Sequence, residues 1–233
     1  MNRLKELRTC READSLLDHR GLPIDKPQKP DRTAALVSLN RLDGMADHGL
    51  ELLRHTLARI GKVDFVMQAE DQDYERFCNF KHRTFNSYDC VYFLRSLANI
   101  YRHHGGLETV FTRAYQKHQD MFEVLKEWYS VFTSLPAEAR LRHIANVEKG
   151  SAAKRVNMFL RWMVRHDGDV DFGLWKDIPT SALLIPLDLH TGNVSRQLGL
   201  LTRNQNDRKA VEELTARLRE MDPVDPIRYD FSL

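Results

Sequence analysis

Apolar residues recur at three- and four-residue steps along most of the chain, and the two-residue alternation of a half-buried strand is sustained nowhere. Residues 2–18 read as a charged helix. Pro23, Pro27 and Pro30 then interrupt Gly21–Arg32, because proline removes amide donors and restricts the residue before it, so this stretch reads as an arm or linker. From Thr33 to Ile60 the pattern is helical, bent near Gly44 and capped by Gly61. A short helix follows at Asp71–Phe80, then a polar connection, Lys81 to Asn86. Ser87 is placed to cap a helix whose stripe is Val91, Leu94, Leu97, Ala98 and Tyr101 and which stops at Gly105-Gly106. Leu107 to about Ser134 is helical with a break near Gln119, and Pro136 suits the first position of a helix over Ala137–Val147.

Lys149-Gly150-Ser151 reads as a tight turn. The helix after it has an apolar stripe of Val156, Phe159, Leu160 and Met163, with Lys154, Arg161 and Arg165 on the opposite side. Asp167–Asp171 is an acidic, glycine-containing loop. Ser181–Leu187 leads into a short helix at His190–Leu198, and Asp207–Met221 is a last helix with Asp207 as its cap. Eight to ten helices without appreciable strand define an all-α globule.

The composition changes this picture little. A chain of 233 residues, 42% hydrophobic and 29% charged, has material for a core and a well-solvated surface. No apolar run approaches the ~20 residues that span a bilayer, and Met1–Arg8 lacks the apolar core of a signal peptide. A cytoplasmic monomer with no membrane association is expected. Cys10, Cys78 and Cys90 form no short-range pair and read as free thiols. His82 and His103-His104 lack the spacing and nearby acid of a metal site, and Asp167, Asp169 and Asp171 lack the glycine and distant glutamate of a calcium loop. With no four-cysteine cluster, Walker loop, dinucleotide fingerprint or GxSxG, neither metal nor cofactor is expected. Trp162, Trp175, Phe159 and Phe85 have helical spacing and read first as core.

Charge matters locally. The net value is only +2, yet from Arg140 to Arg165 seven Lys or Arg face a single acid, Glu148. Such a patch can hold phosphate even on a nearly neutral molecule. It coincides with the glycine-containing turn, where the first amides of the following helix and its dipole favour an anion. Farther along, in Ile185-Pro186-Leu187-Asp188-Leu189-His190, a carboxylate follows a proline turn and can cap the next helix.

These two segments together resemble the helix-hairpin-helix DNA glycosylases, endonuclease III and the 8-oxoguanine glycosylases among them. In that superfamily a Gly-x-Gly-x-Lys turn places a catalytic lysine at a helix start, and a Val-Asp-x-His segment supplies a catalytic aspartate. Lys154 falls at the lysine position and Asp188 at the aspartate. Their separation of 34 positions is similar to the archaeal 8-oxoguanine glycosylases. The resemblance implies a glycosylase-like fold with its hairpin element at about 137–166. It further implies that Lys149, Gly150, Ser151, Arg155, Arg161, Arg165 and His190 bind nucleic acid. A more specific likeness over about Asp64–Leu233 is carried by Lys81–Asn86, Arg155–Met163, Asp171–Trp175 and Asp225–Phe231, which look like an uncharacterised bacterial family distantly akin to those enzymes. Two departures stand out: Ala152 occupies the second hairpin-glycine position, and the first ~60 residues do not resemble the usual opening. Residues 1–32 are accordingly taken as a divergent arm and 33–233 as the helical domain.

The implied activity is excision of a damaged base, an oxidised purine, from double-stranded DNA. Such a base must leave the stack before its sugar can be reached. A lysine amine, activated by burial or by a neighbouring cation such as Arg155, attacks C1′ and forms a Schiff base, while Asp188 takes the proton or stabilises the cationic sugar. The alternatives are a non-catalytic nucleic-acid-binding module on the same scaffold, or a helical protein-interaction protein.

Overall fold

The computed structural model describes residues 67–82, 84–137, 141, 143–167 and 171–233. The helices expected at 2–18 and 33–60, and the proline-rich arm between them, lie outside these residues. The described residues are mostly helical, with one two-stranded ribbon. The chain divides into two compact units, one ending at Leu107 and including Phe132–His143, the other made of Glu108–Val131 and Ile144–Leu233.

In the first unit, the 3-10 helix Asp71–Phe77 precedes a small antiparallel ribbon, β1 (Lys81–His82) and β2 (Phe85–Asn86), paired Lys81 to Asn86 and His82 to Phe85. Helix α1 (Ser87–His103) starts immediately, but Asn86 rather than Ser87 is its cap. Asn86 Oδ1 accepts the amides of Tyr88 at 3.0 Å and Asp89 at 3.2 Å, and Asp89 returns a bond by accepting the Asn86 amide at 3.0 Å. This reciprocal pair satisfies donors that the first turn would otherwise leave open. All five residues of the expected stripe, Val91, Leu94, Leu97, Ala98 and Tyr101, are buried. Phe85 packs edge-on against Phe80, Phe93 and His143, and Phe93 against Phe132.

The second unit holds the rest. Helices α2 (Leu107–His118) and α3 (Met121–Phe132) are separated where Gln119 takes a left-handed φ of 52°, at the break that the pattern predicted. After the turn at Lys149–Ser151 come α4 (Lys154–Val164), α5 (Leu189–Gln197), α6 (Arg208–Met221) and the 3-10 helix Pro226–Ser232. The core is aromatic. Phe111 stacks on Trp128, and Trp175 packs against both Phe111 and Phe159 with ring centroids 5.7 and 5.3 Å apart. Of the four aromatic residues expected in the core, Phe159, Trp162 and Trp175 are buried and Phe85 is half-buried.

One expected element differs. Ala137–Val147 reads as a helix after Pro136, yet its described residues from His143 to Val147 are turns and bends. The reason is local: Asn146 Oδ1 accepts the amides of Glu148 at 2.9 Å and Lys149 at 3.2 Å. An asparagine side chain bonding its own backbone competes with helix and favours a turn. From His143 to Ala153 the chain therefore runs through turns and irregular backbone into α4, and the described residues of 137–147 are not helical.

Candidate active site

Gly150 sits at the apex of that turn with φ +84°, a conformation that suits a residue without Cβ, and no atom lies within 4 Å of where a side chain would start. Its amide donates to Val147 O at 3.1 Å, and the Ser151 amide donates to Asn146 O at 3.1 Å. Ser151 Oγ then accepts the Ala153 amide at 3.2 Å. Ala153, buried and left-handed at φ 48°, is the residue before α4 and offers no side-chain cap. In this turn the left-handed non-glycine is thus Ala153, whereas Ala152, at the second hairpin-glycine position, is not left-handed. Asn157, buried one turn into α4, donates from Nδ2 to Ala152 O at 3.0 Å and ties the turn to its helix.

Lys154 opens α4. Its Nζ lies 3.7 Å from Asp188 Oδ2. Asp188 is presented by Leu183–Leu187, a wholly buried run that fixes its approach, and it caps α5 through Oδ1, which accepts the Thr191 amide at 2.9 Å. Partial burial pushes the Asp188 carboxyl upward, but the Thr191 amide bond and the Lys154 charge outweigh it and hold the group below its ordinary value. The two side chains singled out from sequence therefore face each other, and both remain partly open to solvent.

The other residues singled out divide into two sets. Lys149, Arg155 and His190 are exposed, His190 lying in the first turn of α5. Arg161 and Arg165 turn inward instead of forming a solvated face. Arg161 Nε donates to Asp171 Oδ2 at 3.1 Å and its Nη1 to Asp230, with Asp171 wholly out of solvent. Arg165 donates to Asp225 at 2.9 Å, Asp167 at 3.0 Å and Asp171 at 2.7 Å. These carboxylates engage the donors. The acidic loop and Asp225–Phe231 thus supply the partners of α4, a relation that side-chain spacing on α4 alone conceals.

Asp230 is the residue sequence reasoning passed over. Burial raises its carboxyl pKa, opposed by the bonded Arg161, while the charges of Asp188 and Lys154 also act on it in opposite directions. It belongs to the same electrostatic neighbourhood as the lysine–aspartate pair. Beside it, the guanidinium of Arg161 lies 4.0 Å from the centroid of the Phe231 ring, which is 67% exposed. The sequence signal for it was the family likeness of the whole segment Asp225–Phe231, which marks no single residue.

No trio of His, Cys, Asp or Glu placed to hold a metal ion occurs among the described residues. Cys90 is buried and its thiol is pushed far up by that burial, so it is a core residue and not a nucleophile. No helix among the described residues is long and apolar enough to cross a membrane.

Mostly helical described residues with a partly exposed lysine–aspartate pair at two helix starts are the class that fold and site define. Residues 34–233 match the family described as a protein of unknown function, DUF2400, and the chain belongs to that family. Neither a curated protein nor a solved structure matches it.

Proposed function

We propose that this protein is a DNA repair glycosylase, or glycosylase/lyase, that excises an oxidised purine through a Schiff base on Lys154. The observation that carries the reading is the 3.7 Å approach of Lys154 Nζ to Asp188 Oδ2 across 34 positions of sequence, at the starts of two helices and open to solvent. In this reading Asp188, held ionised by the Thr191 amide and by Lys154, stabilises positive charge on the sugar. The Lys154 amine, once its proton has left, forms a bond to C1′ as the C1′–base bond breaks. The base departs with its electron pair and takes up a proton; the sugar ring then opens as the C1′–O4′ bond breaks and O4′ takes up a proton, and the resulting C1′ iminium permits β-elimination of the strand. Lys149, Gly150, Ser151, Arg155 and His190 surround the pair in sequence and serve as the nucleic-acid surface, acting on double-stranded DNA as monomer and without a cofactor.

Borohydride trapping tests this. The protein is incubated with duplexes that each carry one lesion, 8-oxoguanine among them, and the iminium is reduced to a stable amine. A covalent adduct with the wild type and none with Lys154→Gln is the expected result. Undiminished duplex binding with no adduct on any lesion would replace the enzyme with the non-catalytic binding module.

A further inference from the structure

Asp188 and Lys154 are carried by elements remote in sequence, so something must set their separation. The start of α6 touches the segments that carry both, through Asn206 ahead of it and Arg208, its first residue, with Asp207 between them. Asn206 Nδ2 donates to the backbone carbonyl of Asp188 at 2.8 Å. Asp207 caps α6 by accepting the Ala210 amide at 3.1 Å. The Arg208 amide donates to Gly150 O at 2.9 Å, on the turn that leads into Lys154.

The Asn206 amide is itself oriented. Its Oδ1 accepts from Arg196 Nη2 at 2.5 Å, and Arg196 Nε donates to Arg203 O at 2.8 Å. With the oxygen engaged by an arginine, the nitrogen is left to face the Asp188 carbonyl. A second, independent feature accommodates this contact. Gly192 lies inside α5, where glycine is a poor helix former. A Cβ there would stand 2.6 Å from Asn206 Oδ1 and 2.9 Å from its Nδ2. The missing side chain is the space that the Asn206 amide occupies.

We infer that Asn206–Arg208 is a positioning bracket that sets the distance between Lys154 and Asp188, with Gly192 as the clearance that lets Asn206 reach its carbonyl. Asn206 acts through Asp188 and is a positioning residue. The catalytic consequence rests on the function proposed above; the bracket itself does not.

Two variants probe it by readouts of different kinds. Asn206→Ala removes the bond, and Gly192→Ala displaces the amide while leaving Asn206 in place. Titration of the Asp188 carboxyl, followed by carbon NMR, needs no activity: in both variants its midpoint should rise towards the ordinary carboxylate value, as the Thr191 bond and the Lys154 charge act less well. Helix propensity alone makes Gly192→Ala stabilising, by about 2–4 °C in Tm. The bracket predicts no such gain. Single-turnover borohydride trapping on an 8-oxoguanine duplex should fall at least about tenfold in rate for both variants, with duplex affinity within about twofold of wild type; a 1 Å misplacement is enough for such a loss. An unmoved Asp188 titration together with a raised Tm in Gly192→Ala overturns the bracket, whatever the trapping shows. If the wild type forms no adduct while the titration moves in both variants, the glycosylase reading fails and the bracket stands.

Discussion

Lys154 Nζ and Asp188 Oδ2 lie 3.7 Å apart with side chains 36% and 43% exposed. Ion pairs so open to water contribute only ~0–1 kcal/mol, because solvent screens them and two side chains must be ordered. The pair is therefore a weak stabilising device. Lys154→Gln is expected to leave thermal stability within ~1 kcal/mol of wild type while removing any borohydride-trapped adduct. A large loss of Tm in this variant would recast the pair as structural.

Asp188→Asn separates two roles of one side chain. The amide oxygen can still accept from Thr191 and cap α5, since Asn and Asp cap helices about equally. The negative charge facing Lys154 is lost. Base release should slow by ~10²-fold or more, as when a preorganised group that stabilises transition-state charge is removed, with α5 retained by circular dichroism. Equal rates in the two proteins would deny Asp188 its electrostatic role.

Arg161 makes the opposite case. Its side chain and that of Asp171 are 3% and 0% exposed, so removing the cation strands a buried carboxylate. Arg161→Met should cost ~3–5 kcal/mol in urea unfolding, the range for breaking a buried pair from one side. Charge reversal at Arg161 accordingly reports on folding before it reports on DNA.

Acid should act on the start of α6. Arg203, bonded through its guanidinium, holds the Asp207 carboxyl down at about 2, burial opposes this, and the Ala210 amide adds to the lowering. The folded value lies below the unfolded one, so the fold releases this proton more readily than the unfolded chain. Its stabilisation is present above the ordinary carboxylate range near pH ~4 and is lost as pH falls from there towards 2. Asp207→Ala should lower stability at neutral pH and flatten its fall over that window. Parallel curves for the two proteins would remove Asp207 from the acid response.

The parts legible in the sequence were those set by local periodicity and local caps. The α1 stripe from Val91 to Tyr101, the break at Gln119, and the capping roles of Asp188 and Asp207 each depend on neighbours within a few residues. Where two local signals competed, pattern alone misled. Pro136 argued for a helix to Val147, but Asn146 bonds forward to Glu148 and Lys149 and turns the chain. Ser87 looked like a cap, but it is already the first helical residue, and Asn86 before it accepts the Tyr88 and Asp89 amides. At the site, residue types and motif order marked Lys154 and Asp188. Two partners of Arg165 and Arg161 were hidden because Asp225 and Asp230 lie 60 and 69 positions away, and charge periodicity on α4 gives no account of partners so distant.

On the proposed glycosylase reading, the redistribution of the basic patch indicates which cations would meet DNA. With Arg161 and Arg165 engaged by carboxylates, the exposed cations of Lys149–Arg165 are Lys149 and Arg155, flanking the turn, with Lys154 half open between them. Phosphate contacts release condensed counterions, so log affinity falls with log salt by roughly 0.9 per phosphate neutralised. Lys149→Ala and Arg155→Ala should each weaken binding to damaged and undamaged duplexes alike and reduce the magnitude of the salt slope by about one. Arg165→Ala should leave the slope unchanged and lower Tm instead, because its donors serve Asp167, Asp171 and Asp225. Fluorescence anisotropy with one undamaged and one 8-oxoguanine duplex, at several salt concentrations, reads all three variants. A slope that falls for Arg165→Ala but not for Lys149→Ala or Arg155→Ala would place the phosphate contacts on the far end of α4 and dissociate them from the turn.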